Sequence, residues 1–346
     1  MKKYRLVTAA VAALFVVAVL GWLSGGQAVA ATATTFSGRA TVVQGQVAGI
    51  SVGPFVDTGP VDAGGGHLER TFLEYPIEGV ADPTNGALRA EVLHAAVVAH
   101  GNKSSAEAFV ASLSLSTLGQ SVSAEVLSAR ASASCNGSSA TVSGSSEVAD
   151  LTVNGQRIAV SGQVNQNVPV PGFGVIVINE QIVSASGQNG DITVNALHIV
   201  LTDPLIGTKT DLIVASAHAD IACGGTSDLC LQKDFVTGGG WITTSTGARA
   251  NFAVAGGPDG WGHLNYIDHG GGLKVKGTGV TKYEPTGPTS RHIEGTATIN
   301  GQPGTYQADV ADNGEPGRAD TYWLRLSSGY TQRSTLEGGN IQLHCK

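Results

Sequence analysis

The sequence predicts an all-β protein made of two antiparallel β-sandwich-like domains in tandem. Apolar and polar residues alternate with a period of two in residues 111–116 and in the later half of residues 126–135, a pattern typical of half-buried strands. Glycine, asparagine and proline turns separate such segments, and glycine alone supplies 48 of the 346 residues. No helical periodicity intervenes between them, which favours antiparallel sheets.

The N-terminal residues have the pattern of an export signal. Three basic residues precede an apolar run of 18 residues over 6–23, and Ala28-Val29-Ala30 matches the small-residue pattern of a cleavage site. A run of this length is also compatible with an uncleaved membrane anchor. A Ser-Gly-Gly-Gln stretch breaks the apolar helix before the cleavage pattern. We therefore expect a signal peptide over residues 1–30, cleaved after Ala30. With no second apolar run and no C-terminal anchor, we expect a secreted mature chain without a membrane span.

Four cysteines divide the remaining chain in two. Cys135 and Cys223 lie in the first part, and Cys230 and Cys345 bracket the second. In an exported chain an even number of cysteines indicates disulfides, and four cysteines allow three pairings. We expect the pairing that closes each half separately, Cys135–Cys223 and Cys230–Cys345. The corresponding domains are residues 31–229 and 230–346.

Charge and aromatic content change at the same boundary. Without the signal peptide the chain has 17 Lys and Arg against 27 Asp and Glu, and the excess of acidic residues falls entirely before Cys230. This balance argues against nucleic acid as a partner, because neutralised phosphates drive that binding. Residues 31–229 contain no Trp and one Tyr, whereas residues 230–346 contain three Trp and five Tyr. We therefore expect an aliphatic core in the first domain and an aromatic core in the second.

One segment of the first domain could be a helix. Residues 87–100 are rich in helix formers, but Ala-Glu-Val-Leu at 90–93 recurs at 124–127, where it continues into alternating strand. We therefore interpret residues 87–100 as a strand.

Turn residues place the later strands of both domains. Asn154-Gly155 and Asn300-Gly301 each mark a hairpin, because both central residues of a type I′ turn need positive φ. Between these hairpins we expect a short buried strand and a strand pair. Their residues are 175–178 for the buried strand, and 192–201 and 211–223 for the pair.

Several longer segments resemble a known family. Residues 131–135 (ASASC), 190–198 (GDITVNALH) and 215–223 (ASAHADIAC) resemble the bacterial choice-of-anchor P family over roughly residues 36–223. The remainder resembles the post-choice-of-anchor (post-COAP-1-like) domain that follows it. Its motifs are DFVTGGGWI at 234–242, GHLNYIDH at 262–269, DNGEPG at 312–317 and GGNIQLH at 338–344. The resemblance implies an exported bacterial surface or secreted protein and no particular activity.

The best metal-ligand candidate is an acidic loop in the second domain. Asp312, Asn313, Glu315 and Asp320 could direct several oxygens at one Ca²⁺, the only cofactor that the sequence suggests. Asp-Asn-Gly and Glu-Pro-Gly are equally good turn sequences, so a structural role for the loop is the alternative.

Histidines and aromatic residues offer weaker candidates. His263 and His269 are six residues apart, too far along a strand to share an ion, and we expect structural roles. His198 and His218 lie in the predicted strand pair, where a cross-strand polar pair is the simpler interpretation. The aromatic residues could form a sugar-stacking platform, although a core role is more typical. They are Trp241, Trp261, Trp323, Tyr266 and Tyr322.

No catalytic motif is found in a suitable sequence context. The sequence contains no His-Glu-x-x-His pair, and its Gly-x-Ser-x-Gly match at residues 49–53 runs into Gly53-Pro54, where the proline disfavours the helix that a nucleophile elbow needs. Gly238-Gly239-Gly240 lacks the Lys-Ser/Thr of a phosphate loop. We therefore expect a secreted or cell-surface, non-catalytic β-protein with a structural or adhesive role, whose partner would be an envelope or extracellular glycan or protein. The alternative is a calcium- or carbohydrate-binding module, with a secreted hydrolase third.

Overall fold

A computed structural model describes residues 34–224, 234–314 and 317–345. The described residues form 22 strands and one 3-10 turn, Pro258–Gly260. The first strands are β1 (Arg39–Val47), β2 (Ile50–Asp57), β3 (Gly66–Tyr75), β4 (Leu88–His100), β5 (Lys103–Thr117), β6 (Gln120–Asn136), β7 (Ser139–Ala149), β8 (Thr152–Val153), β9 (Gln156–Arg157), β10 (Gln166–Val170), β11 (Gly174–Ser186), β12 (Asn189–Thr202) and β13 (Lys209–Ala222). They are followed by β14 (Asp234–Thr243), β15 (Arg249–Gly256), β16 (Gly262–Asp268), β17 (Leu273–Pro285), β18 (Ser290–Ile299), β19 (Gln302–Ala311), β20 (Thr321–Leu326), β21 (Thr331–Thr335) and β22 (Gly338–Cys345). The predicted all-β fold is confirmed.

The strands form three antiparallel sheets. The first sheet has the order β10-β11-β12-β13-β1-β2. The second has the order β3-β4-β5-β6-β8-β9, with β7 also paired to β6. The third has nine strands: β14 to β21 form an eight-stranded meander, and the last strand, β22, pairs with β14. No helix among the described residues has the length and hydropathy needed to span a membrane.

The individual strand predictions agree with these sheets. The segment with two interpretations is strand β4, and the predicted pair is β12 with β13. Asn154-Gly155 and Asn300-Gly301 turn between β8 and β9 and between β18 and β19, and all four residues have positive φ. Residues 175–178 belong to a longer strand, β11.

The first two sheets enclose an aliphatic core. Val42 and Val214 of the first sheet and Val97 and Leu127 of the second are fully buried in one cluster. The Cys135–Cys223 disulfide joins the end of β6 to the residue that follows β13, with the two Cα atoms 5.6 Å apart. This predicted bridge is confirmed, and it links the two sheets covalently. Cys230 lies outside the described residues, so the second pairing stays a prediction.

The third sheet curls around an aromatic core. The rings of Phe252 on β15 and Tyr322 on β20 stack with their centroids 4.0 Å apart, although their strands are far apart in the sheet order. Tyr266 and Tyr306 are also buried in this cluster. The expected difference between an aliphatic and an aromatic core is confirmed.

The second sheet is buried on both faces along part of its length. Leu93 and Val97 of β4 belong to the core shared with the first sheet, whereas Val92 packs with Ala253 and Ile267 of the third sheet. Strands covered on both faces have continuous apolar runs instead of alternation. This explains why the sequence of β4 is compatible with both a helix and a strand.

A glycine in the third sheet permits its close approach to the second. A Cβ atom built on Gly239 of β14 would lie 2.8 Å from Cδ1 of Phe109 on β5. The ring of Phe109 is fully buried at this junction. Gly239 therefore has a packing function at this junction. The described residues all belong to one compact unit.

Candidate metal centre

Three metal-ligating side chains meet where the second and third sheets pack. Glu69 lies on β3, His94 on the neighbouring β4 and His263 on β16 of the third sheet. In the β3–β4 register His94 faces Thr71 and Glu69 faces Ala96, so Glu69 and His94 are diagonal neighbours on one face. His94 lies two positions after Val92 on β4, so the two side chains share a face of the strand. The third sheet covers that face, because Val92 packs with Ala253 and Ile267.

The three side chains are close enough to share one ion. Their ligand atoms lie within 4.8 Å of one another. Nδ1 of His94 is 3.9 Å from Oε1 of Glu69, and Nδ1 of His263 contacts the same carboxylate oxygen. The two imidazole rings are 5.3 Å apart between centroids and inclined by 32°.

Burial keeps both imidazoles neutral. His94 is fully buried and His263 is 9% exposed. Desolvation lowers the pKa of His94 to about 4 and that of His263 to about 3. Neutral imidazole is the form that binds a metal ion.

The buried imidazoles also have unused hydrogen-bonding capacity. Among the described residues, three ring nitrogens lack a hydrogen-bond partner: Nδ1 and Nε2 of His94, and Nε2 of His263. A buried polar group left in this state costs about 1–3 kcal/mol. Coordination of an ion would use one nitrogen of each ring and would offset part of that cost.

Two imidazole nitrogens and a carboxylate oxygen are a ligand set typical of Zn²⁺. A tetrahedral ion with bonds of about 2.1 Å holds its ligand atoms about 3.4 Å apart. The 3.9 Å separation between His94 and Glu69 is close to that value, whereas His263 contacts Glu69 directly and would have to move away from it to admit an ion. The three residues therefore fit a transition metal ion better than Ca²⁺, which prefers six or more oxygens.

Aromatic side chains are found beside the centre. Trp261 lies edge-on to both His67 and Phe235, with centroids 4.8 Å and 5.2 Å apart. The ring of His344 stacks on Phe235, and its Nε2 is 2.8 Å from the hydroxyl of Thr237. Burial, together with the charge of Lys103, lowers the pKa of His344 to about 3. These surroundings lower the local dielectric constant, which strengthens electrostatic interactions in the centre.

The carboxylates of the predicted calcium loop accept hydrogen bonds from the loop itself and from β22. One oxygen of Asp312 accepts the NH of Leu343, and the other accepts the NH of Gly314. The buried Asp320 carboxylate accepts the NH groups of Asn313 and Ile341. These bonds attach the loop to β22. Glu315 lies outside the described residues, so calcium binding here stays a prediction.

The other candidate histidines have separate partners. His269 does not approach His263, because its Nε2 lies 3.2 Å from Glu91 and 3.0 Å from Asn251. His198 and His218 do not contact each other, and each instead contacts carboxylates on neighbouring strands. The contacts are His198 to Glu180 and Asp211, and His218 to Asp191, each at 3.0 Å.

The aromatic candidates do not share one surface. Tyr266 and Tyr322 are buried in the core of the third sheet. Trp241 packs under the guanidinium of Arg249, while Trp323 packs under Arg325 on β20. The core interpretation is therefore correct for the two tyrosines, and the three tryptophans occupy three different places.

Comparison with known proteins assigns no family. No family model matches this chain, and no curated protein matches it. A crystal structure from Nitrosomonas europaea, provisionally named AttH, aligns with 70% of this chain and 89% of its own at 8% identity. The TM-score of that alignment is 0.17, which carries no argument about fold or function.

Sequence reasoning missed two of the three ligands. His94 is an isolated polar residue in the apolar run Val92-Leu93-His94-Ala95-Ala96, which is the signal that could have identified it. Glu69 lies in a strand with several polar residues and gives no such signal. Residues of three strands from two sheets form the centre, and alternation within one strand does not predict that meeting.

Proposed function

We propose that this protein is an exported, non-catalytic β-protein with a structural or adhesive role, in which a bound Zn²⁺ ion links the second and third sheets. The observation that carries the metal proposal is the pair of buried imidazoles, His94 and His263, facing one carboxylate with unpartnered nitrogens. An ion at this point would connect β3 and β4 to β16.

Burial supports a structural ion over a catalytic one. A catalytic zinc needs an open coordination position that substrate can reach. In this centre the side chains of His94 and Glu69 are only 0% and 9% exposed. Three protein ligands leave a fourth position, which a water molecule trapped in the interface would fill.

Export is supported by the N-terminal signal pattern and by the Cys135–Cys223 disulfide. Such bridges persist in oxidising compartments and are rare in the cytosol. A zinc link and a disulfide would act on different junctions, since the disulfide joins the first and second sheets.

Metal content of the purified mature protein tests the proposal. We expect about one zinc per chain by inductively coupled plasma mass spectrometry, and its loss in His94→Ala and His263→Ala. His218→Ala, which changes a histidine outside the centre, should retain the ion. Absence of stoichiometric metal, both as isolated and after addition of ZnCl₂ to chelated protein, would contradict the zinc link.

The non-catalytic role has its own test. The mature protein should leave a panel of glycan, peptide and ester substrates unchanged, with and without zinc. Turnover that His94→Ala abolishes would instead indicate a hydrolytic zinc site.

A further inference from the structure

A cleft of about 860 Å³ lies along the second sheet. Ala96 and Val98 of β4 line it, and they lie on the same strand face as His94. Its floor is formed by β5, β6 and β7, and residues of β14 and β22 supply one wall. Its volume is within the range of about 300–1,000 Å³ that is typical of small-ligand sites.

Strand register arranges hydroxyl groups in a row across this floor. Ser105 of β5 pairs with Ser132 of β6, which pairs with Ser143 of β7. All three line the cleft. Neighbouring strands lie about 4.8 Å apart, so the row extends across about 10 Å. Serine hydroxyls both donate and accept hydrogen bonds, as the hydroxyl groups of a sugar do.

An internal ion pair lies two positions further along β5 and β6, on the same face of the sheet. Glu107 pairs with Arg130 in the β5–β6 register, and their charged groups are 3.4 Å apart with side chains 4% and 14% exposed. Another acidic residue of the cleft, Glu147, accepts the NH of Gly339. Both carboxylates of the cleft therefore already have partners within the protein.

Two further cations face the cleft from its exposed side. Lys103 and Arg318 line it and are exposed to solvent. Neither forms an ion pair within the described part of the chain. The cleft thus presents positive charge in a protein whose formal net charge is −7. Such a region attracts an anionic ligand although the net charge of the whole chain is negative.

We infer that this cleft binds an acidic saccharide, with the hydroxyl groups of the sugar on the serine row and its anionic group near Lys103 and Arg318. The anion would be a carboxylate or a sulfate, both of which a guanidinium binds in bidentate form. Aside from His344, none of the described residues that line the cleft has a ring, so these residues offer no stacking platform of the kind that single-stranded nucleic acid uses. This site is separate from the metal centre and does not depend on zinc.

Isothermal titration calorimetry with three defined probes tests the inference. We would use trigalacturonate, a heparin-derived tetrasaccharide and neutral maltotetraose, each with the mature protein. Binding of either acidic probe and not of maltotetraose is expected, and the preferred probe distinguishes carboxylate from sulfate. Binding should weaken with added NaCl.

Matched variants locate the binding site. Lys103→Ala/Arg318→Ala should weaken binding by about tenfold or more, because two charge-assisted contacts are lost. Lys103→Arg should retain binding, and so should Lys209→Ala, which removes an exposed lysine outside the cleft. Ser132→Val should weaken binding without changing its salt dependence. Unchanged melting curves would show that these variants fold.

The inference would be overturned by no heat of binding with either acidic probe at millimolar concentration, by equal binding of maltotetraose, or by acidic-probe binding that the double variant leaves unchanged. A preference for an acidic peptide or an oligonucleotide over both acidic saccharides would also overturn it. His94→Ala should still bind the saccharide, so failure of the zinc proposal would leave this result unaffected.

Discussion

The imidazole rings of His94 and His263 lie 5.3 Å apart, although one belongs to the second sheet and the other to the third. Both contact or approach the same oxygen of Glu69. Two neutral, buried rings beside a carboxylate lie at a junction that has apolar contacts, such as Val92 with Ala253, and polar ones, such as Asn265 with Thr71. The stability of this junction therefore depends on how its buried polar groups are partnered as well as on its apolar packing.

Replacing His94 with leucine should separate these two contributions. In EDTA, His94→Leu should unfold at the same urea concentration as the native protein or a higher one, because an apolar side chain removes unpartnered nitrogens. With zinc at a thousandfold excess over its dissociation constant, the native protein should gain about 4 kcal/mol and the variant should not. Urea unfolding with and without zinc measures both effects. A variant that still gains stability from zinc would exclude His94 as a ligand.

Removing the Cys135–Cys223 bridge should destabilise the packing of the first two sheets. The two cysteines are 88 residues apart, and closing a loop of that length contributes about 4–5 kcal/mol in the chain-entropy model. Cys135→Ser/Cys223→Ser should therefore lower the free energy of unfolding by about that amount in chemical denaturation. A loss below about 1 kcal/mol would contradict the model for this protein.

The second pair of cysteines can be tested directly. Peptide mapping under non-reducing conditions should recover a Cys230–Cys345 peptide beside the Cys135–Cys223 peptide. A peptide that links a cysteine of the first pair to one of the second would contradict the expected pairing.

A side chain at Gly239 should disturb the junction between the second and third sheets. The added Cβ of Gly239→Ala would meet the ring of Phe109 at 2.8 Å, so we expect a loss of about 1–3 kcal/mol. Gly279→Ala is a matched control, because its Cβ would have an ordinary 3.6 Å neighbour, the hydroxyl of Thr296. Combining Gly239→Ala with Phe109→Leu should recover part of the loss. Equal effects of the two alanine variants would argue against the close approach.

Stability should depend on pH through His198. Burial opposes its charged form, but hydrogen bonds to Asp211 and Glu180 outweigh that effect and raise the pKa of His198 above its ordinary value. A raised pKa in the folded state contributes stability below about pH 6.5, and this contribution is lost as the pH rises through the folded pKa.

His198→Gln should therefore cost stability at pH 5.5 and progressively less above pH 7. Chemical denaturation across this range measures the difference, and an NMR titration measures the pKa of His198 itself. Glu180→Gln should lower that pKa. A stability difference that does not change between pH 5.5 and 8 would contradict this account.

Much of the local structure could be predicted from sequence because its causes are local. Asn154-Gly155 and Asn300-Gly301 form turns since those residues tolerate positive φ, whatever surrounds them. The concentration of Tyr and Trp after residue 230 predicts the aromatic core, because large rings must be buried somewhere in that part of the chain. The pairing of β12 with β13 likewise follows from alternation and from the short loop between them.

The candidate sites required the tertiary structure. Residue patterns along the chain identified His263 as a candidate but did not group it with Glu69 and His94, because those two residues are distant from it in sequence. The serine row in the cleft depends on the registers of β5, β6 and β7, which set Ser105, Ser132 and Ser143 side by side. Turn chemistry and alternation act over a few residues, so the sequence by itself determined the strands, the core types and the expected export. Which faces of those strands meet depends on the packing of whole sheets, and only the tertiary structure decided the metal centre and the cleft.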